Sequence, residues 1–265
     1  MLEIENIIFP ESLGDALATV ETDPGAVVLG GCGYLRLGSR KIATAVDLSK
    51  LGLDTITETE HSYEIGAMVS LRTLETDSCI NVFASGALVR AVENIVGIQL
   101  RTCVTLGGSV AGRYPFSDPI TALLAIDAQL VFQGAGRISL QDYLTGKGLR
   151  DILVKIILPK DERVAAFTSM RKSTTDYAVL NCAVARVGTD FRVVVGSRPS
   201  RAIRVEAAEK HLAANGLTRE TAEQAGLLAA ENLSFGDNPR GSGEYRRKIC
   251  PVLVKRALIE VLDAA

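Results

Sequence analysis

The sequence predicts an α+β protein built from two domains. Three observations carry that reading. Short apolar runs of strand length mix with helical periods over the first 160 residues; strands then precede helices without alternation over the remainder; and a chain of 265 residues is long enough to bury two cores. A hydrophobic content of 47% against 23% charged residues excludes a disordered or collagen-like chain.

Along the chain, Pro10-Glu11-Ser12 leads into Leu13, Ala16, Leu17 and Val20 at helical spacing, with Ser12 and Asp15 placed as a capping box. Ala26 to Leu29 is a short buried strand running straight into Gly30-Gly31-Cys32-Gly33. Thr44 to Leu48 and Thr55 to Thr57 read as strands, and Ser62 to Ala67 alternates like a half-buried one. Leu74 to Val96 reads as one long amphipathic stretch, because Leu88, Val92, Ile95 and Val96 recur at helical spacing. Gly107-Gly108-Ser109 is expected in a loop after a further strand, and Asp118-Pro119 opens a helix through Ile126 with Asp118 as its N-cap. Strands at Gln129 to Phe132 and Arg137 to Leu140, a short polar helix and apolar Ile152 to Leu158 complete this part. Pro159 to Glu162 is the expected boundary. Beyond it, Val164 to Met170, Asn181 to Val187 and Phe191 to Gly196 read as antiparallel strands. Ala202 to Ala214, Thr218 to Leu233 and Tyr245 to Leu262 read as helices covering one sheet face.

Composition excludes several function classes. With 29 basic and 31 acidic residues there is no electrostatic case for a nucleic-acid or membrane-surface partner. Five cysteines, at 32, 79, 103, 182 and 250, include no CxxC pair, so neither an iron-sulfur cluster nor a disulfide framework is expected; scattered thiols of this kind pack as small core residues in a reducing compartment, the cytoplasm. The acidic start Met1-Leu2-Glu3-Ile4-Glu5 does not read as a secretory signal, and no apolar run is long enough to insert in a membrane. His61 and His211 are the only histidines, which leaves little material for side-chain catalysis or a metal site. Any redox chemistry then belongs to a cofactor.

The two glycine doublets point to where such a cofactor would sit. Glycines after a strand let backbone N–H groups turn toward an anion, and on this reading a side chain at Gly31 would collide with a bound pyrophosphate. The common nucleotide templates fail. Starting from Gly31, the dinucleotide fingerprint needs glycine where Arg36 stands, and after Gly112 the residues are Arg113-Tyr114 rather than the Lys-Ser/Thr of a P-loop. Tight structural turns are the plain alternative for either doublet, and a plain helix cap is the alternative for Asp118.

Taken together, Phe9-Pro10 with the helix after it, Val27 to Leu35, Ile65-Gly66-Ala67, Gln99 to Ser109, and Ser117-Asp118 ahead of Leu123 to Ala128 stand in an order and spacing by which the chain resembles the FAD-binding (medium) subunit of molybdenum hydroxylases, the xanthine dehydrogenase and carbon monoxide dehydrogenase group. The resemblance spans nearly the whole chain. It implies an FAD-binding domain of the vanillyl-alcohol-oxidase (PCMH-like) type over residues 1–160, as two α/β subdomains at about 1–50 and 51–160. A smaller C-terminal α+β domain, similar to that of the carbon monoxide dehydrogenase flavoprotein, would fill 161–265. It implies that Val27, Val28, Leu29, Gly30, Gly31, Cys32, Gly33 and Tyr34 wrap the FAD pyrophosphate. Thr105, Leu106, Gly107, Gly108 and Ser109 would cover it from the other side, Asp118 would accept hydrogen bonds from FAD hydroxyl or amino groups, and Ile95 and Leu153 would lie near the flavin. No catalytic side chain and no metal ligand is implied within this chain. The sequence departs from the family at Cys32-Gly33, where Thr, His or Ser followed by Asp or Ser is common, at Ser109, where Asn or Asp is common, and at Thr168, where some members carry lysine.

The function implied is electron transfer from the clusters of an iron-sulfur subunit, through FAD, to NAD(+) or another acceptor, in a complex with a molybdopterin-binding subunit. Two rivals remain at this level: an assembly subunit that has lost FAD, suggested by the altered loop at Cys32-Gly33, and a stand-alone flavoprotein oxidoreductase.

Overall fold

The computed structural model describes residues 2–264. Its elements begin with β1 (Glu3–Ile8), α1 (Leu13–Thr22), β2 (Val27–Leu29), β3 (Lys41–Asp47), β4 (Ile56–Glu58), β5 (Ser62–Gly66), α2 (Leu71–Thr76), α3 (Ser78–Val82), α4 (Ala87–Val92), α5 (Ile98–Cys103), α6 (Leu106–Ala111) and α7 (Asp118–Ala125). They continue with β6 (Gln129–Phe132), β7 (Gly136–Ser139), α8 (Leu140–Thr145), β8 (Leu153–Pro159), β9 (Val164–Met170), β10 (Leu180–Val187), β11 (Asp190–Gly196), β12 (Ile203–Arg204), α9 (Glu206–Asn215), α10 (Arg219–Asn232) and α11 (Gly243–Asp263). The chain forms two compact units. The first takes the residues up to Leu74, Ile98–Gly112 and Ala128–Pro159; the second takes Glu75–Gly97, Arg113–Asp127 and the residues from Lys160 on.

The first unit holds two sheets. One is parallel, in the order β1-β3-β2, and the other is antiparallel, in the order β4-β5-β8-β6-β7. Helix α1 starts at Ser12, whose hydroxyl accepts the Asp15 N–H at 3.1 Å, and its Ala16 and Val20 bury against Val46, Leu48, Leu53 and Ile152. Strand β5 has the alternating burial that the sequence foretells, with Tyr63 and Ile65 inside. A second cluster, Leu29, Ile42 and Ala45, fills beneath β2 and fixes the point at which the first glycine run leaves the sheet.

The second unit is an antiparallel sheet in the order β12-β11-β10-β9, with α9 and α11 packed on it and α10 packed on those two helices, in one core that includes Cys182, Val184, Val193, Leu212, Ala225, Leu253 and Val254. Four expectations about elements need correction. Leu74 to Val96 is not one helix. Asp77 caps a new helix by accepting the N–H groups of Cys79 and Ile80, and Ala84, Ser85 and Gly86 turn left-handed at φ 48°, 56° and 71° before α4 begins. The second glycine pair lies in α6 and follows α5, not a strand. Ser117, not Asp118, caps α7, because its hydroxyl accepts the Ile120 N–H. Helix α9 begins at Glu206, since Ile203–Arg204 pairs with β11 as a fourth strand.

Candidate nucleotide-binding site

The first glycine run is aimed by the strand before it. Val27, Val28 and Leu29 pair with Ala45, Val46 and Asp47 of β3, and Leu29, 8% exposed, anchors the cluster against which Val27, Cys32 and Leu35 pack. The backbone then turns back. Gly31 and Cys32 both adopt positive φ, 60° and 51°, and the Cys32 N–H donates to the Gly30 carbonyl at 2.7 Å. Among the described residues no protein acceptor takes the amide N–H of Gly31 or of Gly33. Two amides left over at such a turn, from residues without a Cβ, are available to an acceptor from outside the protein. Burial first, and then the Asp47 carboxylate, push the half-buried Cys32 thiol up, so it stands in this turn as a neutral group. Tyr34 is exposed at the exit, ahead of a 3₁₀ turn at Leu35–Leu37.

The second segment is built differently. Thr105 caps α6, its hydroxyl accepting the Gly108 N–H at 3.0 Å and its carbonyl accepting both the Ser109 N–H and the Ser109 hydroxyl. The Leu106 and Gly107 N–H groups donate to the Val69 and Ala67 carbonyls, each at 2.9 Å. All four N-terminal amides of this helix are therefore satisfied within the protein. The packing around it is close. A Cβ on Gly108 would stand 2.7 Å from the Gly30 carbonyl oxygen, and one on Gly30 would stand 3.1 Å from the Gly108 Cα, so the two segments meet backbone to backbone. The sequence reading places a side chain at Gly31 against pyrophosphate; the structure places it 2.0 Å from the Cys103 carbonyl oxygen. That glycine is required first by the loop's own packing.

The remaining candidate residues are distributed over both units. Leu153 opens β8 in the first unit and is 6% exposed. Ile95, half-buried, and Asp118 belong to the second. Asp118 is the first residue of α7 and 3% exposed. Arg171 Nη2 donates to its Oδ2 at 2.7 Å and Asn181 Nδ2 to its Oδ1 at 2.5 Å, while the Thr121 hydroxyl donates to Asn181 Oδ1 at 3.0 Å. Burial raises the Asp118 carboxyl above the ordinary carboxylate range, against the opposing pull of Arg171 and then of Asn181. Each carboxylate oxygen already has a protein donor, which neither the cap reading nor the FAD reading anticipates. Sequence reasoning missed Arg171, Thr121 and Asn181. The available signal was Asn181, a lone amide inside the apolar run Leu180 to Val184. Thr168, at the lysine position of some family members, donates its hydroxyl to the Leu253 carbonyl at 3.2 Å and so ties β9 to α11.

Comparison with known proteins supplies the rest. The FAD binding domain in molybdopterin dehydrogenase matches residues 2–161, and the CO dehydrogenase flavoprotein C-terminal domain matches residues 165–261. The chain is 32% identical over 212 residues to protein YgfM of Escherichia coli K12, covering 79% of this chain and 77% of that one. It is 26% identical over 270 residues to the nicotine 6-hydroxylase medium subunit of Paenarthrobacter nicotinovorans, covering 95% of each. In fold it superposes on a chain of carbon monoxide dehydrogenase from Hydrogenophaga pseudoflava with a TM-score of 0.89, at 24% identity and 98% coverage of both.

Proposed function

Because the chain belongs to the FAD-binding subunits of the molybdenum hydroxylase family, we propose that it holds the FAD diphosphate on the amides of Gly31 and Gly33 and serves as the electron outlet of a complex with an iron-sulfur subunit and a molybdopterin subunit. The observation that supports this reading is the pair of unspent N–H groups at a bend that packs tightly against Cys103, Val104 and Gly108. A diphosphate withdrawn from water needs donors of this kind, and N–H groups fixed by neighbouring packing cost nothing to orient. Thr105 to Ser109 hold the bend in place through the Gly30–Gly108 contact and leave their own amides out of the cradle. The neutral Cys32 thiol places no negative charge beside the diphosphate, and Tyr34 follows, exposed, at the exit of the loop. When bound, FAD supplies a group that takes electrons singly and gives them up in pairs, which suits it to join one-electron clusters to NAD(+) or another two-electron acceptor.

The cradle has a direct test. Two hydrogen bonds to a charged group contribute roughly 3 kcal/mol or more, about a hundred-fold in affinity. Titration of the full chain, followed by flavin fluorescence, is expected to show FAD binding at least that much more tightly than riboflavin, which lacks the diphosphate. Equal affinities would refute the assignment of the diphosphate to Gly31 and Gly33. The outlet role is tested by isolating the protein from its host with its partners: flavin absorption and transfer of reducing equivalents to NAD(+) are expected, and a colourless chain within the same complex would instead identify an assembly subunit.

A further inference from the structure

The first glycine run carries one charged side chain. Between Leu29 and Gly38 every residue is neutral except Arg36. The backbone brings it back toward the loop: the Arg36 N–H donates to the Cys32 carbonyl at 3.1 Å, and the 3₁₀ turn Leu35–Leu37 holds it there, with the Leu37 and Gly38 N–H groups donating to the Tyr34 and Leu35 carbonyls, each at 3.1 Å. The side chain runs the same way. Arg36 Nε donates to the Gly33 carbonyl at 3.4 Å, so the guanidinium rests on a residue whose own N–H is unspent. Arg36 is exposed, and among the described residues neither Nη1 nor Nη2 has a protein acceptor and no carboxylate pairs with it.

Neither position 32 nor position 33 offers a charge of its own. The Cys32 thiol packs with Leu29, Ile42 and Ala45 and is neutral. At 33 a side chain has no room, because a Cβ there would stand 2.3 Å from Val104 Cγ2. A diphosphate held by two amides alone keeps its negative charge uncompensated, and a guanidinium with its two Nη groups unspent is suited to compensate it by hydrogen bonds to two phosphate oxygens at once. The contact with Gly33 is what singles Arg36 out. Arg40, also exposed and without a carboxylate partner among the described residues, lies beyond Gly38 and makes no hydrogen bond to the glycine run.

We propose that Arg36 is a further FAD-binding residue of this chain, its Nη1 and Nη2 groups engaging the diphosphate held on the Gly31 and Gly33 amides and neutralising part of its charge. The proposal rests on the assignment of the diphosphate to those amides. It divides the task between backbone and side chain: two N–H groups fix where the phosphates lie, and one guanidinium responds to their charge. Because that guanidinium is open to solvent, its attraction is screened by salt, whereas the amides carry no net charge to screen.

The test uses the full chain, titrated with FAD and with riboflavin. Arg36→Gln removes the charge and keeps a donor for the Gly33 carbonyl, so the loop should stay folded and the thermal midpoint unchanged. FAD should bind about ten-fold more weakly to Arg36→Gln than to the parent chain and riboflavin equally to both, while Arg36→Lys should recover part of the difference. That ratio should shrink toward one as added salt approaches about 1 M. An Arg36→Gln chain that binds FAD as tightly as the parent overturns the proposal. So does a ratio that salt does not move, or a variant that loses FAD and riboflavin alike, which would mark a structural role for the side chain. Failure of the cradle itself looks different: a parent chain with no preference for FAD over riboflavin removes the diphosphate from Gly31 and Gly33 altogether, whereas a parent that prefers FAD beside an unaffected Arg36→Gln leaves the cradle standing and removes Arg36 alone.

Discussion

Asp118 is a carboxylate kept where water does not reach, and its two neighbours decide what it costs. Its folded pKa lies above the 3.8 of the unfolded chain, so the folded form is favoured most fully below that value, and this contribution is lost as pH rises through the folded pKa. Arg171→Met removes the group that pulls most strongly the other way. The charge left behind is expected to cost about 3–5 kcal/mol. Protonation relieves it, so urea unfolding should show a larger loss at pH 8 than at pH 4; a loss independent of pH would mean that the arginine acts through packing alone. The cysteines make a second expectation at this scale. Cys103 is exposed, whereas burial holds Cys250 at about 12 and Cys182 well above the ordinary thiol range. Native-state alkylation read by mass spectrometry should label Cys103 and spare Cys182 and Cys250 until the protein unfolds. The sequence expectation that all the thiols are core residues holds for those two and fails for Cys103, because solvent exposure at a helix end has no signature in cysteine spacing.

At the level of elements, local chemistry was legible in several places, but not at Asp77, whose cap was missed, nor at Ser117, whose cap was assigned to Asp118. The Ser12 cap, the alternation of β5 and the three main strands of the C-terminal sheet follow from periods and caps readable in a short window. The left-handed turn at Ala84-Ser85-Gly86 was not, since apolar spacing continues across it and only Gly86 favours the conformation. Ser85 is exposed, and among the described residues its hydroxyl makes no hydrogen bond that would hold φ at 56°. Ser85→Gly is expected to stabilise the chain by about 0.5–1 kcal/mol, measured as a higher urea midpoint. An unchanged or lower midpoint would show that the turn is unstrained. The candidate site was legible in part for a related reason. Both glycine pairs stand out in the sequence, but whether their amides are free or spent depends on Ala67 and Val69, some forty residues away along the chain.

For the molecule as a whole, the two units do not follow the order of the sequence. The polypeptide crosses between them after Leu74, Gly97, Gly112, Asp127 and Pro159. Only the last coincides with the boundary expected from composition, and Val96, Arg113 and Asp127, at or beside three of the others, carry positive φ that no residue pattern announces. Helices α4 and α7 fall before residue 160, yet they bury Leu88, Val92, Ile120 and Leu123 in the unit that contains β9, β10 and β11. A fragment of residues 1–160 is thus expected to expose these faces and to lack a dispersed, folded NMR spectrum; a well-dispersed spectrum would show that the first unit is autonomous. Among the described residues no helix is long and apolar enough to cross a membrane.

This interleaving bears on how such a polypeptide can change hands in evolution. A recombination breakpoint near codon 160 would transmit a C-terminal half stripped of two helices that its sheet was selected to receive, so natural shuffling should pass the reading frame on whole. Chimaeras between relatives, for the same reason, should tolerate exchange of the separate stretches Glu75–Gly97 and Arg113–Asp127 only when the downstream half travels with them.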